Sequence, residues 1–163
     1  EKNAPRPGPE WRFADMVTGA CLLVRRELWQ QLGGFDPKYV NGCEDVDFCL
    51  RAKAAGFASV VALRSVVLHH VSASPGRKRR DEENAYRLTL RWRTQLVQLG
   101  LPAWCRKFIE CDLNAATPPL AALSAFRYLA GWSRQAPAFA VAGMQAAIEL
   151  ELSRWEKIVG PLA

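Results

Sequence analysis

Residues 33–56 read GGFDPKYVNGCEDVDFCLRAKAAG, and this stretch decides the fold. Gly33-Gly34 stops whatever helix precedes it, because glycine takes up the left-handed backbone of a helix end at no steric cost. Asp36-Pro37 and Asn41-Gly42 are turn formers that deliver the chain to Glu44-Asp45. Those acids open an amphipathic helix. Val46, Cys49, Leu50 and Ala54 fall at i, i+3, i+4 and i+8 on one stripe, Asp47 and Arg51 pair at i,i+4 on the other side, and Gly56 is the stop.

Upstream, residues 20–24 form an apolar run of strand length and residues 25–32 have helical composition, which predicts a strand followed by a short helix. Residues 1–13, rich in Pro at their start, are expected to be a flexible N-terminal segment. Downstream, the β-branched runs 57–63 and 65–71 predict two strands, and 72–80 a loop. Ala85, Leu88, Trp92, Leu96 and Leu99 keep helical spacing, so a helix is expected over 81–99, ended by Gly100 and Pro102. Helices then follow over 103–112, 119–132 and 138–159, the last with a seam of Val141, Met144, Ile148, Leu152, Trp155 and Val159. The fold class is α/β: a half with few strands and flanking helices over 14–99, then an all-helical tail over 100–163. The tail's seam reads as intramolecular packing, a partner helix or a membrane surface.

The 163 residues are 50% hydrophobic and include six Trp, enough to build a sizeable core, which excludes intrinsic disorder. Neither charge-free stretch, 113–126 or 135–148, reaches the ~18 apolar residues a spanning helix needs. No positive segment followed by an apolar one opens the chain, so the expected compartment is the cytoplasm. The five cysteines form no C-x-x-C pair and read as buried thiols. A net charge of +6 suits a polyanion, a diphosphate or an anionic membrane surface. The chain begins at Glu1, and a piece of a longer protein is expected.

Glu44, Asp45 and Asp47 carry the strongest chemical signal. At a helix start they meet the positive end of the helix dipole, so they read as functional carboxylates or as ordinary caps. Asp45 and Asp47 also spell D-x-D, but on a helix i and i+2 point about 200° apart, so the two are not expected to share an ion. His69 and His70 end a predicted strand and face opposite ways; one of them reads as a metal ligand or as a hydrogen-bonded structural residue. Arg77, Lys78, Arg79 and Arg80 form a basic run that suits a diphosphate-closing loop or a solvated charge run. It lacks the interleaved aromatic residues that stack on bases, so nucleic acid is not an expected partner.

In order, Val17-Thr18-Gly19-Ala20, Leu23-Val24-Arg25-Arg26, Gly33-Gly34-Phe35-Asp36, Tyr39, Glu44-Asp45-Val46-Asp47, Arg51, Gly56, and His69 with Ser72-Ala73-Ser74 resemble family 2 glycosyltransferases. The likeness is to the C-terminal half of their catalytic domain, which has the GT-A fold, over roughly residues 14–76. It implies an inverting transfer of a sugar from a nucleotide-diphosphate donor to a hydroxyl of a glycan or glycolipid acceptor, in cell-surface polysaccharide or glycolipid assembly. Asp45 falls on the family's general base, and a carboxylate suffices there because the hydroxyl becomes acidic only as its new bond forms. Glu44 and Asp47 would orient the acceptor or the helix start, and Thr18-Gly19 would lie beneath the donor sugar, where a small residue lets the backbone approach. His69 matches the ligand to the divalent metal, Mn²⁺ or Mg²⁺, on the donor diphosphate. Arg77 and Arg79 are placed over that diphosphate by inference from their charge. The family's nucleotide-binding half has no counterpart upstream, so a missing N-terminal half is an expected partner, as is peripheral contact with the inner face of the membrane. The competing reading is a non-catalytic remnant or accessory domain that binds a partner chain through an exposed apolar face.

Overall fold

A computed structural model describes residues 10–69, 80–112 and 120–162. Its elements in chain order are β1 (Trp11–Ala14), a 3-10 turn (Gly19–Cys21), α1 (Arg26–Leu32), α2 (Glu44–Ala54), β2 (Ser59–Ala62), α3 (Asp81–Asp112), α4 (Leu120–Leu129) and α5 (Ala138–Val159). The chain divides into two compact units, Glu1–Leu88 and Thr89–Ala163. Mixed α/β character with few strands is present, as expected, but the sheet is smaller and differently drawn.

In the first unit, α1 ends at Gly33 in the left-handed conformation, φ 74°, with its N–H turned back to the carbonyls of Trp29 and Gln30. Gly34 follows at φ 70°, and a Cβ there would stand 2.8 Å from the Trp29 ring. The helix stop expected from Gly33-Gly34 is therefore doubly enforced. α2 begins at Glu44, and its buried face is Phe48, Cys49, Leu50 and Ala52 together with Asp47. Ala54, expected on the apolar stripe, is exposed. Phe48 takes its place because it packs with Trp29 and Phe35, ring centroids 5.2 and 5.8 Å away.

Three strand expectations change. β1 lies at Trp11–Ala14, all but its last residue in the segment expected to be flexible, and pairs antiparallel with β2 in the register Trp11↔Ala62, Phe13↔Val60. Residues 20–24 are not a strand: Thr18 caps the 3-10 turn, its Oγ1 accepting from the Ala20 N–H at 3.2 Å. Leu22 is extended, φ −118° and ψ 122°, but a strand needs a ladder partner and none of the described residues supplies one. Residues 65–69 of the expected second strand are irregular, and 70–71 lie outside the described residues.

The helical unit holds the largest correction. α3 is kinked at Trp92, φ −115° and ψ 23°, into two helical parts, and the second runs through Gly100 and Pro102, expected as terminators. Gly100 is there for space, not for a stop: a Cβ on it would overlap Met144 Cε, and one on Gly143 would stand 2.6 Å from the Trp104 ring. Pro102 removes one N–H from the ladder, and burial of its neighbours Leu101 and Cys105 outweighs that loss. Leu101, Cys105, Ala125 and Ala140 are fully buried and form the centre of this unit, with Trp104, Tyr128, Phe139 and Met144 around them. The seam on α5 is partly or fully buried throughout. Among the described residues no helix is long and apolar enough to cross a membrane.

Candidate active site

The site is built where the loop before α2 reverses direction. Asn41 at φ 58° and Cys43 at φ 69° both adopt the left-handed conformation, with Gly42 between them. A buried amide holds this bend in place: Asn84 Nδ2 donates to the Val40 carbonyl at 2.9 Å and its Oδ1 accepts from the Val40 N–H at 3.2 Å. Asn84 thus mimics one step of a β-ladder from the first turn of α3. Sequence reasoning missed it; the available signal was an amide four residues before Leu88 on the buried face.

This bend aims the N-terminus of α2 at the Thr18-Gly19 loop. The Gly19 N–H donates to Asp45 Oδ2 at 2.7 Å, and the Val46 N–H donates to Asp45 Oδ1 at 2.8 Å. Two stretches 26 residues apart are joined by one carboxylate. A Cβ on Gly19 would stand 3.2 Å from Asp45 Cβ, so a side chain there would push the two apart by a few tenths of an ångström. Cys49 Sγ supports the same loop from the next turn, 3.8 Å from the Val17 carbonyl. Each carboxylate oxygen has two lone pairs, so an oriented Asp45 can still accept a proton from a hydroxyl.

Cys43, at the N-cap, records the local field. Burial, then the carboxylates of Asp45, Glu44 and Asp81, push its thiol up to about 11. Glu44 Oε2 is buried with no hydrogen-bond partner among the described residues. Beside this cluster opens a cleft of about 370 Å³ walled by Gly19, Leu22, Leu23, Val24, Arg26, Trp29 and Phe35. Its aromatic pair, Trp29 edge-on to Phe35 at 5.0 Å, had no site role in the sequence reading.

Not every expected site residue joins this group. Asp47, expected to orient the acceptor or the helix start, has a fully buried side chain 2.7 Å from Arg51 Nε, and Arg51 is only 13% exposed. Arg51 also donates to the carbonyls of Leu32 and Gly34 at 2.6 and 2.7 Å. Asp47 is therefore a brace between α2 and the end of α1, the helix-start role, and is closed to an acceptor. Asp45 and Asp47 do point apart, as expected for a helix. His69 is exposed on irregular chain. Among the described residues no three His, Cys, Asp or Glu are grouped so as to hold a metal ion, so these residues alone do not fit a divalent centre. His70, Arg77 and Arg79 lie outside the described residues.

A family model described as glycosyltransferase like family 2 matches residues 10–94, just over half of the chain. The chain belongs to this family. The matched residues of this family 2 member include the Gly19–Asp45 contact, the Asp47–Arg51 brace and Asn84. It is 45% identical over 69 residues to an N-acetylglucosaminyl-diphospho-decaprenol L-rhamnosyltransferase of Mycobacterium tuberculosis, covering 42% of this chain and 22% of that protein. Against an O-antigen biosynthesis protein RfbC of Myxococcus xanthus it is 41% identical over 58 residues, 36% of this chain and 4% of the other. Rhamnosyltransferase WbbL of Escherichia coli is 39% identical over 59 residues, 36% of this chain and 19% of that one. The matched segment thus spans about a fifth or less of these relatives. No solved structure matches the chain.

Proposed function

We propose that this chain is the acceptor-activating part of an inverting glycosyltransferase that moves a sugar from a nucleoside diphosphate to a hydroxyl of a glycan or lipid-linked acceptor. Two relatives named as rhamnosyltransferases make a deoxyhexose donor the first choice, and the diphospho-decaprenol in one name makes a lipid-diphosphate acceptor the first choice. The observation that carries the reading is the Asp45 carboxylate held against Gly19. In the step proposed, the acceptor oxygen forms its bond to the anomeric carbon while Asp45 takes its proton. The bond from that carbon to the diphosphate breaks, and the diphosphate leaves with the electron pair from the opposite face. Glu44, with its unpartnered buried oxygen, orients the acceptor, and Thr18-Gly19 lies beneath the donor sugar. Arg77 and Arg79, outside the described residues, are assigned to the diphosphate on their charge alone. The divalent cation, Mn²⁺ or Mg²⁺ with His69 as one ligand, rests on the family resemblance alone, and no step is drawn through it. The reaction is placed in the cytoplasm, at the inner face of the membrane.

The test is Asp45→Asn in the sugar-transfer reaction. Turnover is expected to fall by ~10² or more with donor binding retained; equal turnover would sink the assignment. A second reading, in which the chain is non-catalytic and docks on a partner chain, draws on the outer face of the β1–β2 pair. Trp11, Phe13 and Val60 share that face by register and are all exposed. Calorimetric titration of the chain with Mn²⁺ and nucleoside diphosphates separates the two: saturable metal-dependent binding supports a donor site here, and none supports the partner reading.

A further inference from the structure

The first two turns of α4 are built inside out. Its small residues Ala122 and Ala125 face the centre of the helical unit, Ala125 against Leu101, Cys105 and Ala140. Tyr128 and Leu129, in its last turn, pack on that centre, but the large residues of its first two turns face outward: Leu120 is 86% exposed, Leu123 54% and Phe126 50%, and Trp132, edge-on to Phe126 at 5.7 Å, is 71% exposed. An ordinary amphipathic helix buries its large apolar side chains. These three positions recur every third residue, so they form one stripe, which Trp132 extends past the helix end. The segment that carries the stripe holds charge of one sign. Between residues 120 and 148 the sequence holds Arg127 and Arg134 and no acid, and neither arginine forms an ion pair among the described residues.

We propose that the outward face of α4 lies in the surface of an anionic lipid bilayer. Leu120, Leu123 and Phe126 would enter the acyl boundary, Trp132 would sit at headgroup depth, and Arg127 and Arg134 would meet lipid phosphates. A second copy of the chain is the less suitable occupant, because a two-fold contact through this face brings the same two cations from each copy together across an apolar interface. The inference goes beyond sugar transfer and does not depend on it.

The test is co-sedimentation of the 163-residue chain with phosphatidylcholine vesicles, with and without phosphatidylglycerol. Binding is expected to need the anionic lipid and to weaken with salt. Leu123→Glu and Phe126→Glu, both at exposed positions, are expected to lower the partition coefficient by about tenfold or more each. Arg127→Gln and Arg134→Gln should lower it by roughly fivefold each, and these surface changes leave the helical core intact. No association with anionic vesicles overturns the proposal, as does association that all four variants leave unchanged. A concentration-dependent dimer in sedimentation velocity that Phe126→Glu dissolves overturns it too, giving the face to a second copy.

Discussion

Replacing Arg51 with methionine is expected to destabilise the chain by about 3–5 kcal/mol, because it leaves the Asp47 carboxylate buried beside a removed partner. The guanidinium makes three contacts of 2.6–2.7 Å, to Asp47 Oδ2 and to the carbonyls of Leu32 and Gly34. The Leu32 carbonyl is the last of α1, where helix carbonyls lack partners and a cation is favoured, and Gly34 follows directly on the helix stop. Arg51 therefore caps α1 from inside α2. Arg51→Lys keeps the charge but not the fork. Its ammonium can stay on Asp47 while the two carbonyls each lose a donor at about 1 kcal/mol, for a total of about 2 kcal/mol. In the pair Asp47→Leu with Arg51→Met no buried carboxylate remains to be compensated, so the double variant should be more stable than Arg51→Met alone by about 1–2 kcal/mol. Urea unfolding followed by circular dichroism reads these differences as midpoint shifts at a common slope. A loss below about 1 kcal/mol for Arg51→Met refutes the brace, and so does a double variant whose loss is the sum of the two singles.

Gly19→Ala should pass the folding test and fail the catalytic one: its Cβ at 3.2 Å pushes Asp45 by a few tenths of an ångström, and turnover should drop several-fold with the melting temperature little changed. Asn84→Leu strips both partners from Val40 in a buried place and should cost about 2–3 kcal/mol in the same urea experiment. Cys43 sets a pH dependence. The unfolded thiol ionises near 9.0 and the folded one only near about 11, so between those values the unfolded chain releases a proton that the folded chain keeps. Stability should therefore fall as pH rises from 9.0 to about 11, and Cys43→Ser should remove that part of the slope. Gly143→Ala meets the rigid Trp104 ring at 2.6 Å, whereas Gly100→Ala meets the flexible end of Met144. The first should destabilise by about 1–2 kcal/mol and the second by less, measured as melting temperatures.

What could be read from the sequence follows from how local each feature is. The stop of α1 at Gly33, the start of α2 at Glu44 and the span of α5 from Ala138 to Val159 all depend on neighbours within a few residues, and the structure has them where expected. β1 depends on partners near residue 60, which no local pattern announces. The 3-10 turn at Gly19 depends on Thr18 Oγ1, which competes with the extended backbone that the β-branched and apolar run favoured. Gly100 and Pro102 are punctuation in most sequences, yet here tertiary packing overrides them. At the site, Asp45 and Gly19 could be named from the resemblance, but their contact could not. For Asp47 the sequence left the acceptor and the helix start both open, because an i,i+4 ion pair is usually a solvated one, and only the carbonyls at the end of α1 explain why this pair is buried. Trp29 gave no signal beyond being apolar near a turn, and Phe35 entered only as part of the Gly33-Gly34-Phe35-Asp36 resemblance, with no role in a site.

The two glycines in the helical unit act as a key and a lock. Gly143 admits the Trp104 ring, and Gly100 admits the end of Met144, the residue next to Gly143. Sliding α5 along α3 by one turn would bring Phe139 or Ala147 to the Trp104 ring, and either would set a Cβ where only hydrogen fits. The pair thus permits a single alignment of the two helices. Residues added or lost in the connection before Ala138 leave that alignment untouched, whereas a residue inserted between Ala140 and Gly143 would turn the fully buried Ala140 off the core while the glycine contacts hold. Length variation among proteins built on this tail should therefore collect ahead of α5 and be excluded from its first two turns.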